Sequence, residues 1–553
     1  MSLPTAAEAT TDGAAPVSAR GRSGRAAAAL AAFALLAAAH TWPLATDPAH
    51  LSRNDNADAL LNSWTLAWVA HQLPRHPLRL FDANIFYPER LTLAYSEAMF
   101  VQSALALPIL AGGGSPVLAY NLVLLAGFAL TGWAFCLLVR RWTGSWAAGA
   151  VAGSLAAFNA HSLMQLPHLQ FLHVEFIALV LFALDRLAAG RRLRDAIALG
   201  AGAALQGLTS VYLLVFSTWM LAFAVPARLA SAPRAGRLKA IALVAAAAVV
   251  SLALMAPYLA GYDALHRRTG LERAADEASS HAALWTDVLA TGSRLHYAVW
   301  SRRFTDAAHV AAFPGLAGAL LLALAFVWPE TRRDARVRMC AWAAAGCSVV
   351  SMLPRAPFYP ALHRHLLLFR VVRVPAYLGH VVLLLVAVLA GFGAAGLLRR
   401  LRAGRLRAAA AIVMLAAVNL EALRAPLEYT PFSGIPRIYD TLAAVPGAVV
   451  AELPLYPPRQ LFANAEYMLN STRHWRPLIN GYSGFRPDWY DEAYDELQGF
   501  PEETALEALH RRGVTHVIVH ADRFEARVRE AIDRAESLVP LAQDGDIRIY
   551  RLR

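Results

Sequence analysis

Charge is scarce in this sequence. Only 16% of its 553 residues are charged and 57% are hydrophobic, whereas a soluble globular protein carries about 25% charged residues. That balance excludes a soluble chain of several domains. Cysteine is scarcer still, and Cys136, Cys340 and Cys347 each fall inside an apolar run, so they read as inert core thiols with neither a disulfide framework nor a zinc site behind them. No repeat of fixed period is visible, and nothing of low complexity beyond alanine-rich segments. The net charge of +12 would suit nucleic acid, but the arginines stand in short clusters between apolar runs and not along one face. This is the topology signal of an integral membrane protein and excludes a nucleic-acid partner.

What the sequence does hold is a succession of apolar runs. Arg20, Arg22 and Arg25 precede a run from Ala26 to about Leu44, which reads as an uncleaved signal anchor behind a disordered cytoplasmic tail, 1–25. Runs of spanning length follow at about 116–139, 145–160, 168–185, 194–209, 211–227, 239–260, 310–328, 339–353, 378–398 and 408–425. The connections carrying Arg140 and Arg141, Arg186 to Arg194, Arg228 to Lys239, Arg332 to Arg338, and Arg399 to Arg407 fall at every second turn. Basic connections stay in the cytoplasm. Residues 96–112 are apolar as well, but counting them as a span would place Arg140 and Arg141 outside, so they are assigned to an interfacial or re-entrant helix.

The predicted fold class is therefore mainly α: a polytopic membrane bundle of about 11 transmembrane helices over 26–426, with a long outer loop at 45–115. Its N-terminus is cytoplasmic. After Arg424 charge and proline return, and AVVAELPL, THVIVH and IRIYRL alternate as strands do, while EETALEALHRRG reads as a helix closed by Gly513. Residues 427–553 are expected to form a small α/β domain on the periplasmic or extracellular side of a bacterial inner membrane.

The outer loop is too rich for a connector. From Asp47 to Glu97 it gathers Asp55, Asp58, Trp64, Trp68 and Tyr87, and long polar loops of this kind carry function. A carboxylate near the membrane surface beside an apolar wall can act as a general base toward a hydroxyl, and Asp58 and Asp55 are the candidates. Asp58 is equally well placed to cap the helix that ALLNSW begins. Trp64 and Trp68, at helical spacing, suit a helix lying in the membrane interface. Tyr87 and Glu97 are candidate substrate contacts in the same loop.

Two further clusters follow. His161, His168 and His173 stand with Gln165, Gln170 and Glu175. Glu175 falls about two turns into the expected fourth span, where an ionisable group needs a cavity or a partner. His161 and His168 could share a metal across a turn or serve as neutral hydrogen-bonding rings. The loop 354–377 holds Arg355, His363, Arg364, His365, Arg370 and Arg373. Guanidinium groups on the outer side run against the topology rule, so they read either as a phosphate site or as partners of anionic headgroups. ELPLYPP and HWRPLINGYSGF, dense in aromatics and proline, could stack sugar rings, bind a partner, or fill a small core.

A single span, a long outer loop with an acidic pair near its start, many further spans and a C-terminal outer domain resemble the GT-C superfamily of membrane glycosyltransferases. FDANIFYPERLTLAYSE, HSLMQLPHLQ, FRVVRVPAY and STRHWRPLINGYSG look like segments of bacterial members of this group. The resemblance implies transfer of a sugar from a polyprenyl-phosphate or pyrophosphate carrier to a glycan, lipid or protein acceptor on the outer face, commonly with inversion. It implies that the general base is an acid of the first outer loop. Many members carry an adjacent acidic doublet there; NDNAD spaces its acids by three, leaving the choice between Asp55 and Asp58 open. By the same resemblance Arg370 and Arg373 would hold the carrier phosphate while His168 and Glu175 line the cavity. The chemistry calls for no redox cofactor, and a divalent cation is left open, since some members use one and others none. The competing readings are a transporter or flippase of a lipid-linked saccharide, which is usually built from repeated halves, and a non-catalytic protein of envelope assembly.

Overall fold

The computed structural model describes residues 19–53, 57–270 and 274–553. Asp55, one of the two candidate bases, lies outside the described residues. The chain opens with helix α1 (Ala19–His40), followed by α2 (Ala57–Gln72) and α3 (Phe100–Ala111) inside the long loop. The helical body continues through α4 (Pro116–Thr143), α5 (Trp146–Ala157), α6 (Ala160–Met164), α7 (Glu175–Gly190), α8 (Leu193–Thr209), α9 (Val211–Ala230) and α10 (Arg237–Thr269). After the short α11 (Ala275–Ser280) come α12 (Leu316–Val327), α13 (Ala335–Met352), α14 (Leu378–Arg400) and α15 (Gly404–Ala422).

Local chemistry sets many of these boundaries. The Ser115 hydroxyl accepts from the Leu118 amide at 3.1 Å, with Pro116 in the first turn, and Gly144 closes the same helix at φ +76°. Ser145, Asn159 and Ser210 cap α5, α6 and α9 in the same way. Side-chain oxygens of this kind satisfy amides that the first turn leaves without partners. Packing depends on small residues: a Cβ on Gly153 would lie 2.3 Å from the Gly132 carbonyl oxygen, and one on Gly393 would lie 1.9 Å from that of Leu321. Only glycine allows α5 to approach α4, and α14 to approach α12, that closely.

A helix stands at each of the eleven expected spanning positions. Six of them, α1, α4, α9, α10, α13 and α14, are long and apolar enough to cross a membrane, which makes this a multi-pass chain. The others fall short in length or in apolar run, so the expected total of 11 is not reached on that criterion. The segment 96–112 yields α3, whose 12 residues rise only about 18 Å against a hydrocarbon core of about 30 Å. The expected span at 168–185 starts later than read from the sequence, at Glu175. Pro167 cannot continue a helix, and the chain from Gln165 to Val174 runs as turns around Leu169–Phe171. Cys136, Cys340 and Cys347 are free and buried.

Two sheets complete the architecture. β1 (Leu51–Arg53) pairs antiparallel with β2 (Tyr429–Pro431), tying the start of the long loop to the segment after α15. The second sheet holds β3 (Val450–Leu453), β4 (His516–His520), β5 (Leu538–Asp544) and β6 (Ile547–Leu552), in the order β3-β4-β6-β5. β3 and β4 are parallel and the remaining pairs antiparallel. Three strands match the alternation read from the sequence, as does the helix Glu503–Arg511 before Gly513 at φ +74°; β5 was not anticipated.

The long loop packs against this C-terminal sheet region. The Leu478 amide donates to Asn84 O at 2.8 Å, the Tyr87 amide to Leu478 O at 2.9 Å, and the Phe86 amide to Asn480 O at 3.1 Å. Trp64 and Trp68 are buried in this seam. The Trp64 indole N–H donates to Asn84 Oδ1 at 3.3 Å, that of Trp68 to Leu80 O at 2.9 Å, and Trp475 stands 5.8 Å from the Trp68 ring. The expectation of an interfacial tryptophan pair is thereby corrected: both indoles are buried with their polar edges satisfied by protein, the two rings stack on each other, and that of Trp68 meets Trp475 of the C-terminal region.

Candidate active site

Asp58 lies in the first turn of α2. The Tyr482 hydroxyl donates to its Oδ1 at 2.5 Å, and His168 Nε2 stands 3.1 Å from its Oδ2. Three distant parts of the chain meet here. One turn along α2, the Asn62 amide donates to Pro167 O at 2.7 Å, and the Tyr120 hydroxyl donates to the carbonyls of Leu166 and Pro167. These bonds pin the turn before α7 against the Asp58 face of α2, so the interruption at Pro167 is what presents His168. Tyr482 follows the extended segment 478–480, which bonds to the long loop and bridges β3 at Leu478. A Cβ on Gly481 would lie 2.7 Å from the Phe86 ring, so the glycine lets the segment pass close beneath Phe86.

Burial alone would raise the Asp58 carboxyl, but the His168 hydrogen bond and charge, together with the Tyr482 hydrogen bond, outweigh it and hold the group below the usual carboxylate range. At neutral pH it is an acceptor-only carboxylate. The Tyr482 phenol moves the other way, pushed up by burial and by the Asp58 charge, so it stays protonated and donates. The Asp58 and His168 side chains are 23% and 28% exposed, open enough for a substrate group to reach them.

Arg373 joins this group electrostatically. Its charge acts on both Tyr482 and Tyr377, and the Asp58 charge acts on the same two phenols. Its Nε lies 2.8 Å from Glu277 Oε1, with the guanidinium half-exposed. Tyr377 accepts from the Gln165 amide at 3.3 Å and packs edge-on against Phe171 and His161. Arg370 ends the four-residue helix Leu367–Arg370, three residues before Arg373. The His161 ring is fully buried, and burial holds it well below the usual histidine range, so it is neutral. Among the described residues no group of three or more His, Cys, Asp or Glu is arranged to hold a metal ion.

Three expected contacts have other occupations. Ser210 Oγ donates to Glu97 Oε1 at 3.0 Å, the Val211 amide to Oε2 at 2.8 Å and the Tyr212 amide to Oε1 at 3.3 Å, so this buried carboxylate caps α9. Glu175 is the first residue of α7, not two turns inside it; it faces His173 Nδ1 at 3.1 Å and accepts from the Thr131 hydroxyl. A carboxylate at a helix N-terminus meets the favourable end of its dipole. Tyr87 packs beside Gly513 and donates its amide to the seam. Of the residues singled out in the sequence, the structure thus brings Asp58 and His168 into contact, while Arg373 reaches them only through its charge on Tyr482 and Tyr377. It adds Tyr482, Tyr377 and Gln165, which had stood only as parts of aromatic or polar segments.

No family model matches the sequence, and no curated protein is similar to it. Solved structures are similar. The arabinofuranosyltransferase AftD from Mycobacteria superposes with a TM-score of 0.57 at 17% identity, over 97% of this chain and 42% of that one. The archaeal oligosaccharyltransferase AglB from Archaeoglobus fulgidus, in complex with an inhibitory peptide and a dolichol-phosphate, gives 0.49 at 13% identity, over 91% of this chain and 70% of that one. ArnT from Cupriavidus metallidurans bound to undecaprenyl phosphate gives 0.47 at 13%, covering 97% and 98%. The arabinofuranosyltransferase carries the comparison: this chain has a GT-C fold and spans less than half of that protein's length.

Proposed function

We propose that this chain is a membrane glycosyltransferase of GT-C type that moves a sugar from a polyprenyl-phosphate carrier to a hydroxyl of a cell-envelope acceptor, on the side of the membrane away from the cytosol. The observation that carries this reading is an ionised, partly open carboxylate and a guanidinium whose charges both act on the same two phenols, Tyr482 and Tyr377, on a fold shared with an arabinofuranosyltransferase. Asp58 is the base. The acceptor hydroxyl donates its proton to the carboxylate, its oxygen bonds to the anomeric carbon, and the bond from that carbon to the phosphate oxygen breaks. The electron pair leaves with the lipid phosphate, whose growing charge Arg373 stabilises together with Arg370, and the proton ends on Asp58. A carboxylate with a lowered pKa is a weak base toward a resting hydroxyl. It becomes competent as the forming bond to carbon acidifies that proton. Attack opposite the leaving phosphate inverts the anomeric centre.

The arginine alternation supports a cytoplasmic N-terminus, with residues 427–553 on the same side as the site, and fits a bacterial inner membrane. The test uses the full chain in lipid nanodiscs, a panel of radiolabelled undecaprenyl-phosphate pentoses and hexoses, and host membrane extract as acceptor. Asp58→Asn should lower transfer by about 100-fold or more, the usual contribution of a general base. Undiminished transfer by this variant would remove Asp58 from the mechanism.

A further inference from the structure

We infer that Tyr482, supplied by the C-terminal sheet region, is a positioning residue for the Asp58 carboxylate, so that the seam between that region and the long loop is part of the active site. This rests on the reading of Asp58 as the base. A carboxylate offers about four lone-pair directions. Tyr482 takes one on Oδ1 at 2.5 Å and His168 stands at Oδ2, 3.1 Å away; held on both oxygens, the carboxylate cannot turn about its terminal bond, and its orientation is fixed in space. An attacking hydroxyl needs that fixity, because a base misplaced by an ångström loses much of its effect.

A water in place of the phenol would come and go, whereas this phenol is held. Its chain segment is bonded to the long loop at Asn84, Phe86 and Tyr87, and its own amide donates to Met468 Sδ at 3.0 Å. Behind it, the Asn480 side chain bridges β3, accepting from the Glu452 amide at 2.8 Å and donating to Glu452 O at 2.7 Å. Trp475, on the same segment, stacks on His71 at 4.2 Å at the far end of α2. The helix that carries the base is thus gripped at both ends by the stretch 475–482. A phenol that merely filled space would need no hydroxyl aimed at a carboxylate.

Three full-length proteins in nanodiscs test this: Tyr482→Phe, Asp58→Asn, and a chain with a fluorinated tyrosine at 482, whose phenol is a stronger donor of unchanged size. Two quantities are read. One is the infrared titration midpoint of the Asp58 carboxyl, assigned by its loss in Asp58→Asn; the other is kcat and KM with whichever undecaprenyl-phosphate sugar the wild type turns over. The inference expects Tyr482→Phe to lower kcat at least about ten-fold with KM within about two-fold, and to move the midpoint up; the fluorinated residue should move it down. A phenol that only docks the two regions would leave midpoint and kcat at wild-type values while Asp58→Asn is inactive, and that result overturns the inference while leaving the transferase reading standing. Full activity in Asp58→Asn would instead remove the base, and the positioning role with it. The fluorinated protein keeps every contact, so misfolding of the Phe variant would not leave the question open.

Discussion

Replacing Glu97 by Gln separates two roles that its sequence position alone does not. As a substrate contact, its loss would weaken transfer without affecting the fold; as the cap of α9, its loss would weaken the fold first. The glutamine carbonyl oxygen can keep the Ser210 and Tyr212 donors of Oε1, but its NH2 then faces the Val211 amide, which had donated to Oε2 at 2.8 Å. A buried donor left without an acceptor costs about 1–3 kcal/mol. Burial pushes the Glu97 carboxyl up, with the three hydrogen bonds pulling against it, so removing the charge also relieves a desolvation cost. The net loss is placed at the lower end, about 1–2 kcal/mol. Thermal denaturation in detergent should show a melting point lower by a few degrees. The rate per folded molecule should stay within about two-fold of wild type, since nothing touching Asp58 has changed. A variant that melts like the wild type yet transfers sugar more than about ten-fold more slowly would show that Glu97 binds substrate and that its place at α9 is incidental.

Four further substitutions follow from the geometry. His168→Ala removes the stronger of the two hydrogen-bond and charge influences that hold the Asp58 carboxyl down. With its folded pKa depressed, the base is present above that value and lost as pH falls through it, and so is its share of stability. The variant's acid limb should therefore lie at higher pH than the wild type's, and a rate loss of about 10-fold or more accords with one charge-assisted bond; an unmoved limb in a pH–rate profile would count against the pairing. Glu277→Gln frees the Arg373 guanidinium from its 2.8 Å partner. Because such half-exposed pairs are worth about 0.2–1 kcal/mol, KM for the lipid-linked donor should fall by up to about five-fold; a rise would show that Glu277 aims Arg373 and does not compete for it. Gly393→Ala drives a methyl into the Leu321 carbonyl, while the Cβ of Gly404→Ala meets nothing within 4 Å. The first should cost at least about 1–3 kcal/mol and the second almost nothing, as read by thermal denaturation in detergent.

Which parts of this site could be read in the sequence follows from the range over which each is determined. Asp58 and Arg373 stood out because an acid just past a first span and arginines on the wrong side of the alternation violate local rules, and violations are visible residue by residue. Tyr482 violates nothing. It becomes a partner of Asp58 only because a contact spanning 424 positions closes, and nothing within a few residues of either end encodes that closure. Trp64 and Trp68 failed for a related reason: two indoles at i and i+4 satisfy a membrane interface and a domain seam equally, and the choice between them is made by Asn84 and Trp475. The capping of α9 by Glu97 is equally hidden, because the helix end that donates to it, the Ser210 hydroxyl and the Val211 and Tyr212 amides, begins 113 residues on. β5 escaped notice because Pro540 and a bulge break its alternation, and its hairpin partner β6 restores the pairing in space. The same asymmetry bears on function. Asp58 and Arg373, the proposed base and phosphate partner, come from segments whose own composition is strained by their surroundings, whereas Tyr482, proposed to aim the base, comes from a segment with no such tension. Substitutions at Tyr482 should accordingly be tolerated by folding and felt in catalysis, the reverse of what is expected at Glu97.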